Sequence, residues 1–321
     1  MQFIRIPNSY VPLGGPLTYE VHESDVADIE IRITDTTRTR LYGAKRFHAA
    51  RAAEFDIAPY LRRALRFTPI SGSTGVYDGE GRTLTAIVEA SSSVSSLVLT
   101  APRRTFLPSA DELPAPCLLT SMPLVRLIPD GAADELTLMT QAPQQITLTI
   151  EYGPNTATET HVIPSDGLHL FRLNTADFPN ADKITVDAGR CGKVVYAVVK
   201  PVHEAVRLAW RSRSGSIEHY SFPIETTATV EAAKCPAYGR DGYVSAATFE
   251  CRRTLRSALE TREVLEALAE LLYTPEVWWV EGSGYTPVDV VSNRAAVHNY
   301  GTMSSLEITF RPKKHPRQSW N

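Results

Sequence analysis

The 321-residue chain has no uninterrupted apolar run of the roughly 18–20 residues that a membrane-crossing helix requires, so membrane insertion is not expected. Cysteine is scarce. Cys117, Cys191, Cys235 and Cys251 are far apart and form no C-x-x-C pair, so the local spacing of structural zinc sites is missing. They read as small buried hydrophobes, with a Cys235–Cys251 pairing across adjacent strands as the minority alternative. Neither sign of charge is in excess: 33 Lys plus Arg against 36 Asp plus Glu leave a formal charge of -3. That lacks the electrostatic footprint of a nucleic-acid binder. The opening MQFIRIPNSYVPLGG lacks a charged start followed by an apolar stretch, and the chain has no N-x-[ST] sequon. Cytoplasmic synthesis without a signal peptide is the expectation.

Motifs for catalysis are missing as well. Gly189–Lys193 (GRCGK) is one residue short of a phosphate loop and is followed by Val194 where Ser or Thr is needed. It reads as a tight hairpin turn that its glycines permit. SGSTG at Ser71–Gly75 and EGSGY at Glu281–Tyr285 have the wrong spacing for a nucleophile elbow and read as loops. His161 and His169 are the one close histidine pair, with no flanking cluster of carboxylates or thiols to complete a metal shell. No catalytic, cofactor-binding or metal-ligating residue is assigned, and the chain is expected to be non-enzymatic.

What is present is apolar material in short alternating runs. At 43% hydrophobic and 21% charged residues the chain can offset its ordering entropy, and its length suits two or three domains. In residues 28–34, Ile29, Ile31 and Ile33 alternate with Glu30 and Arg32, the period of a half-buried strand. Similar runs fill residues 1–100, interrupted by one helical pattern in EFDIAPYLRRALRF, and predict an N-terminal antiparallel sandwich. Pro102, Pro108, Pro114 and Pro116 make residues 101–120 an expected extended linker. Strand patterns resume over 121–205 as a second sandwich, giving tandem immunoglobulin-like domains without the Cys…Trp…Cys mark of a true immunoglobulin domain.

Residues 206–321 read as β-β-β-α-β-β-β, an α+β module of antiparallel sheet and one main helix. In that helix, over 261–273, Val264, Leu265, Leu268, Leu271 and Leu272 share a face. Thr261 is the expected N-cap and Pro275 the stop. Trp278 and Trp279 point to opposite sides of one strand, so one belongs to the core and the other needs a second surface, such as another chain. The basic tail ending in Trp320 suits an arm that orders on a neighbouring subunit. The basic residues between Arg38 and Arg66 read as a solvated or protein-contacting face.

The segment VRLAWRSRSGSIEHYSFPI (206–224) resembles tail-region proteins of phages and prophages from Bacteroidetes, in which N-R-x-G-[GAS]-x-[DE]-x-[YF]-x-F follows a strand. Trp210, Arg213, Gly215, Ser216, Glu218, Tyr220 and Phe222 match, while Ser212 stands in place of the usual asparagine. LLYTPEVWWV, LEITFRP and EFDIAPYL are similar to other parts of those proteins. The resemblance implies a baseplate or distal-tail-like structural role and carries over no catalytic residue. The implied setting is a virion tail, with homo-oligomerisation and other tail proteins as partners. Candidate interaction residues are Trp210, Arg213, Gly215, Tyr220, Phe222, Trp279 and Trp320. A carbohydrate-binding or adhesin-like β-sandwich protein that takes a cell-surface glycan is the alternative.

Overall fold

The computed structural model describes residues 1–79, 81–202, 205–234 and 247–313. The first module holds β1 (Gln2–Arg5), β2 (Val11–Pro12), β3 (Thr18–Thr34), β4 (Leu41–Asp56), α1 (Ala58–Arg62), β5 (Gly75–Asp78), β6 (Leu84–Ser92), β7 (Ser95–Thr100) and β8 (Arg104–Leu107). All these strands except β5 share one sheet, ordered β1-β3-β6-β8-β2 with β4 beside β3 and β7 beside β6. The sheet curls because its long strands change partners. β3 pairs with β1 around Val21 and with β6 from Ile29 onward, while β6 turns to β8 at Leu84–Ala86. The alternation read in the sequence holds, with Ile29, Ile31 and Ile33 buried and Arg32 exposed.

Helix α1 is shorter than its pattern, because Glu54–Asp56 completes β4 and Pro59 can sit only in the first turn. Asp56 fixes this corner by accepting from the backbone N–H groups of Leu17 and Ala58 at 2.7 and 2.9 Å.

The second module is a two-sheet sandwich of β9 (Cys117–Leu119), β10 (Val125–Pro129), β11 (Ala133–Thr140), β12 (Gln144–Tyr152), β13 (Asn155–Ile163), β14 (Gly167–Asn174), β15 (Lys183–Asp187) and β16 (Lys193–Val199). One sheet runs β10-β16-β15-β12-β13 and the other β5-β14-β11-β9. The chain switches sheets five times, between β9 and β10, β10 and β11, β11 and β12, β13 and β14, and β14 and β15, the cross-connected plan of immunoglobulin-like sandwiches. Leu136, Leu138 and Phe171 of one sheet meet Ile146, Leu148 and Ile184 of the other in a closed core.

The structure corrects two expectations. β5, counted within residues 1–100, leaves the first sheet and pairs with β14, so the N-terminal segment completes the second sandwich. The expected linker over 101–120 contains β8 and β9, one strand of each module, because its four prolines flank these strands and interrupt neither.

The third module contains β17 (Val206–Arg211), β18 (Ile217–Phe222), β19 (Ile224–Lys234), β20 (Ala247–Arg256), α2 (Arg262–Ala269), β21 (Val277–Glu281), β22 (Gly284–Val290), β23 (Ala296–Tyr300) and β24 (Met303–Pro312). Four strands precede the helix and four follow it, one more on each side than the sequence pattern suggested. They form one antiparallel sheet, β18-β17-β21-β22-β24-β20-β19, with β23 on β24. α2 ends earlier than expected and tightens into a 3-10 turn at Glu270–Leu272, while Leu265, Leu268 and Leu271 still join one core. Thr261 holds the N-cap position in extended conformation without a capping side-chain bond. β19 and β20 stay paired to Lys234↔Ala247, whereas β24 reaches only Arg253–Arg256 of β20. The outer part of this pair is a two-stranded ribbon among the described residues.

The modules are fused by shared packing. Ala209, Ile217 and Trp278, from one face of the third sheet, lie in the core of the first module. Trp279, on the other face, packs edge-on to Phe310 at 6.0 Å under the Arg253 guanidinium at 4.3 Å. The second surface required by the tryptophan pair is therefore supplied by this chain's own first module.

Candidate functional site: a buried polar seam between modules

β10 alternates in the usual way, but its inward positions are Arg126 and Ile128 while Val125 and Leu127 face out. A guanidinium so placed needs partners on every side. Arg126 Nη1 lies 3.3 Å from Asp134 Oδ2 on β11 and 3.2 Å from Glu218 Oε2 on β18, and all three side chains are buried. Its Nη2 donates to Thr120 Oγ1 at 2.6 Å and its Nε to the Pro123 carbonyl at 2.7 Å. Asp134 Oδ2 also accepts from the Tyr196 hydroxyl at 2.9 Å, and Oδ1 lies 3.0 Å from His219 Nδ1. On the far side of the ring, His219 Nε2 meets the Tyr285 hydroxyl at 3.1 Å, which also accepts from Arg172 at 3.2 Å. Glu218 Oε1 accepts from Thr120 Oγ1, Ser121 N and Ser216 Oγ at 2.7, 3.1 and 2.6 Å.

Burial pushes the Asp134 carboxyl up, but its contact with His219 and the charges of Arg126, His219 and Arg207 outweigh this and hold it well below the usual range. Tyr196 is pushed well above an ordinary tyrosine by burial and the Asp134 charge. Three of the four oxygens of Asp134 and Glu218 accept hydrogen bonds, and the fourth, Asp134 Oδ1, lies against the His219 ring without one. A second buried ion pair, Arg82–Glu135 at 2.7 Å, joins the first module to the second. The chemistry this arrangement performs is adhesion: each partner removed leaves a buried charge unpaired.

The residues singled out in the sequence lie around this seam. Trp210 is fully buried and its Nε1 donates to Glu270 Oε2 at 3.4 Å. Phe222 is fully buried against Tyr220, whose hydroxyl donates to Glu260 at 2.6 Å. These side chains are taken up within the chain. Arg213 makes an exposed two-point ion pair with Asp111 at 2.9 Å for each bond. Gly215 has φ +91°, and a Cβ there would lie 2.8 Å from both Pro108 Cγ and Ser109 N. The turn of the 206–224 segment is thereby fitted against the end of the first module. Trp320 and Cys235 lie outside the described residues, while Cys251 is a free thiol.

Other motifs resolve as parts of the scaffold. The Gly189–Cys191 run is a 3-10 turn between the antiparallel strands β15 and β16, with Gly189 and Gly192 at φ +57° and +122°. His161 and His169 belong to different sheets. No metal-ligating cluster occurs among the described residues. In the basic segment, Arg38 and Arg46 pair with Glu89 and Glu30.

Sequence reasoning missed Arg126, Asp134, His219 and Glu270. Their signal was faint: Arg126, Asp134 and His219 are polar residues at inward positions of strands, clearest where Arg126 sits between Val125 and Leu127, and Glu270 falls in the turn that ends α2.

No known protein family matches the chain, and no curated protein matches it. Among solved structures, the complex of Dpr2 Ig1-Ig2 with DIP-Theta Ig1-Ig3 aligns with 98% of this chain and 90% of that chain, at 9% identity and a TM-score of 0.22. A likeness at that score carries no argument about function.

Proposed function

We propose that the chain is a non-enzymatic structural protein of a phage or prophage tail, a preassembled three-module block that joins copies of itself and other tail proteins. The observation that supports this reading is the buried seam at Arg126, which commits costly ionic groups to holding modules in one orientation. A building block needs such fixed geometry, because each subunit's orientation sets where the next one docks. The 206–224 segment supports the same reading, since the residues that resemble tail-region proteins form the β17–β18 hairpin at this junction. The ribbon of β19 and β20 offers an edge for neighbours, with Val230 69% exposed.

Light scattering behind a sizing column, across a range of protein concentrations, tests self-association. A discrete oligomer is expected, and one monomeric mass throughout argues against it.

A further inference from the structure

The outer face of β10 is apolar and bare. Val125 is 69% exposed and Leu127 65%, and Leu124, just before the strand, is 48% exposed. Large apolar side chains exposed side by side mark a surface that a partner covers. β10 is also the edge of its sheet, pairing only with β16. The Leu124 carbonyl accepts from Val195 N and Asp130 N donates to the Val199 carbonyl, so the N–H and C=O groups of Val125 and Leu127, at alternate positions, point to the free edge.

A groove of about 470 Å³ runs between this strand and the residues that open α2, with Leu124, Val125, Leu127, Glu260, Glu263 and Val264 in its lining. The guanidiniums that line it are engaged, Arg126 with Asp134 and Glu218, and Arg207 with the Ala133 carbonyl and Ser221 Oγ. The carboxylates near α2 are not. Glu260 accepts from the Tyr220 hydroxyl at 2.6 Å but has no cation partner among the described residues, and burial raises its carboxyl above the ordinary range. Glu263 is exposed and forms no ion pair among the described residues, while the adjacent Arg262 is taken by Glu266 at 2.7 Å. The groove is thus apolar on the side of β10 and short of positive charge on the side of α2.

The chain carries a segment of matching chemistry. Residues 314–321, outside those described, read KHPRQSWN and bring Lys314, Arg317 and Trp320. Trp320 lies seven residues past Lys313, a reach of at most about 25 Å. Lys313 N donates to the Pro287 carbonyl on β22, and β21 and β17 separate β22 from β18, whose Tyr220 borders the groove. The path across this sheet is closed on one face by the first module, at Ala209 and Trp278, and on the other by α2. The segment therefore suits the groove of another copy.

We propose that the C-terminal segment of a second copy fills this groove, with Trp320 against Leu124, Val125 and Leu127 and with Lys314 and Arg317 facing Glu260 and Glu263. The contact rests on the self-association proposed above and not on the phage setting.

Position 320 of the full chain is changed to photoreactive benzoylphenylalanine, isotope-labelled and unlabelled copies are mixed and irradiated, and the crosslinked peptides are mapped by mass spectrometry. Crosslinks between copies that join position 320 to residues 122–127 or 260–264 are expected. Glu263→Lys, at an exposed position, is expected to lower their yield about tenfold with an unchanged melting temperature. No crosslink between copies, crosslinks confined to other regions, or full yield in a folded Glu263→Lys variant each overturns the proposal. A discrete oligomer crosslinked elsewhere overturns this groove alone, whereas a monomer at every concentration overturns the self-association as well.

Discussion

The Arg126 guanidinium on β10 and the Glu218 carboxylate on β18 meet at 3.2 Å across the boundary of the second and third modules, both buried. The contact places an ion pair where two independently readable domains would be expected to slide. Arg126→Leu leaves Asp134 and Glu218 without their shared cation, and a loss of about 3–5 kcal/mol is expected. Urea denaturation of the two proteins measures it. A variant within about 1 kcal/mol of wild type would show that the pair is dispensable.

Asp134 gives this seam a pH dependence. Its folded pKa is depressed, so its contribution is fully present above the unfolded value of about 3.9 and is lost as pH falls through the folded pKa. Stability is therefore expected to drop below about pH 4, and Asp134→Asn should flatten that acid limb. Unfolding midpoints from pH 2 to 7 decide the matter, and parallel curves would assign the acid limb to other carboxylates.

Glu270 has the opposite sign. Its folded pKa is raised by burial, so the native state holds the proton more tightly and stability declines as pH rises from about 4.3 through the folded value. Glu270→Gln keeps an acceptor for Ser121, Trp210 and Arg213 and removes the buried charge. The variant is expected to be at least as stable as wild type at pH 7, with its advantage gone near pH 4. Denaturation at these two pH values checks the sign.

Gly215 couples the 206–224 hairpin to the first module. Gly215→Ala meets Pro108 and the Ser109 backbone at 2.8 Å and imposes φ +91° on an L-residue. A loss of about 1–3 kcal/mol is expected, together with faster proteolysis between residues 108 and 111. Gly282 also has positive φ, at +57°, but a Cβ there meets open space, so Gly282→Ala serves as the control for backbone strain alone.

The mainly β class, the two sandwich modules and the α+β module were legible because alternation and helical periodicity report one-sided burial directly. Ile29, Ile31 and Ile33 show the first signal and Leu265, Leu268 and Leu271 the second. What alternation does not report is which sheet a strand joins. Gly75–Asp78 reads as a strand of its local segment, yet pairing with β14 carries it into the next module. The seam was hidden for a related reason. Glu218 lies 92 residues from Arg126, Asp134 reaches Arg126 only through a turn, and a charged residue reads as exposed until its partners are known. The Trp278–Trp279 pair was read as needing a second surface, with Trp279 as the interaction candidate, but the packing gives Trp278 the first module's core and Trp279 the third module's own Phe310.

Deleting the coding sequence from its native genome, and imaging any released particles by negative-stain electron microscopy, tests the proposed tail role most directly. The account predicts particles without complete tails and restoration by the wild-type chain. Normal, infectious tailed particles in the deletion would contradict it.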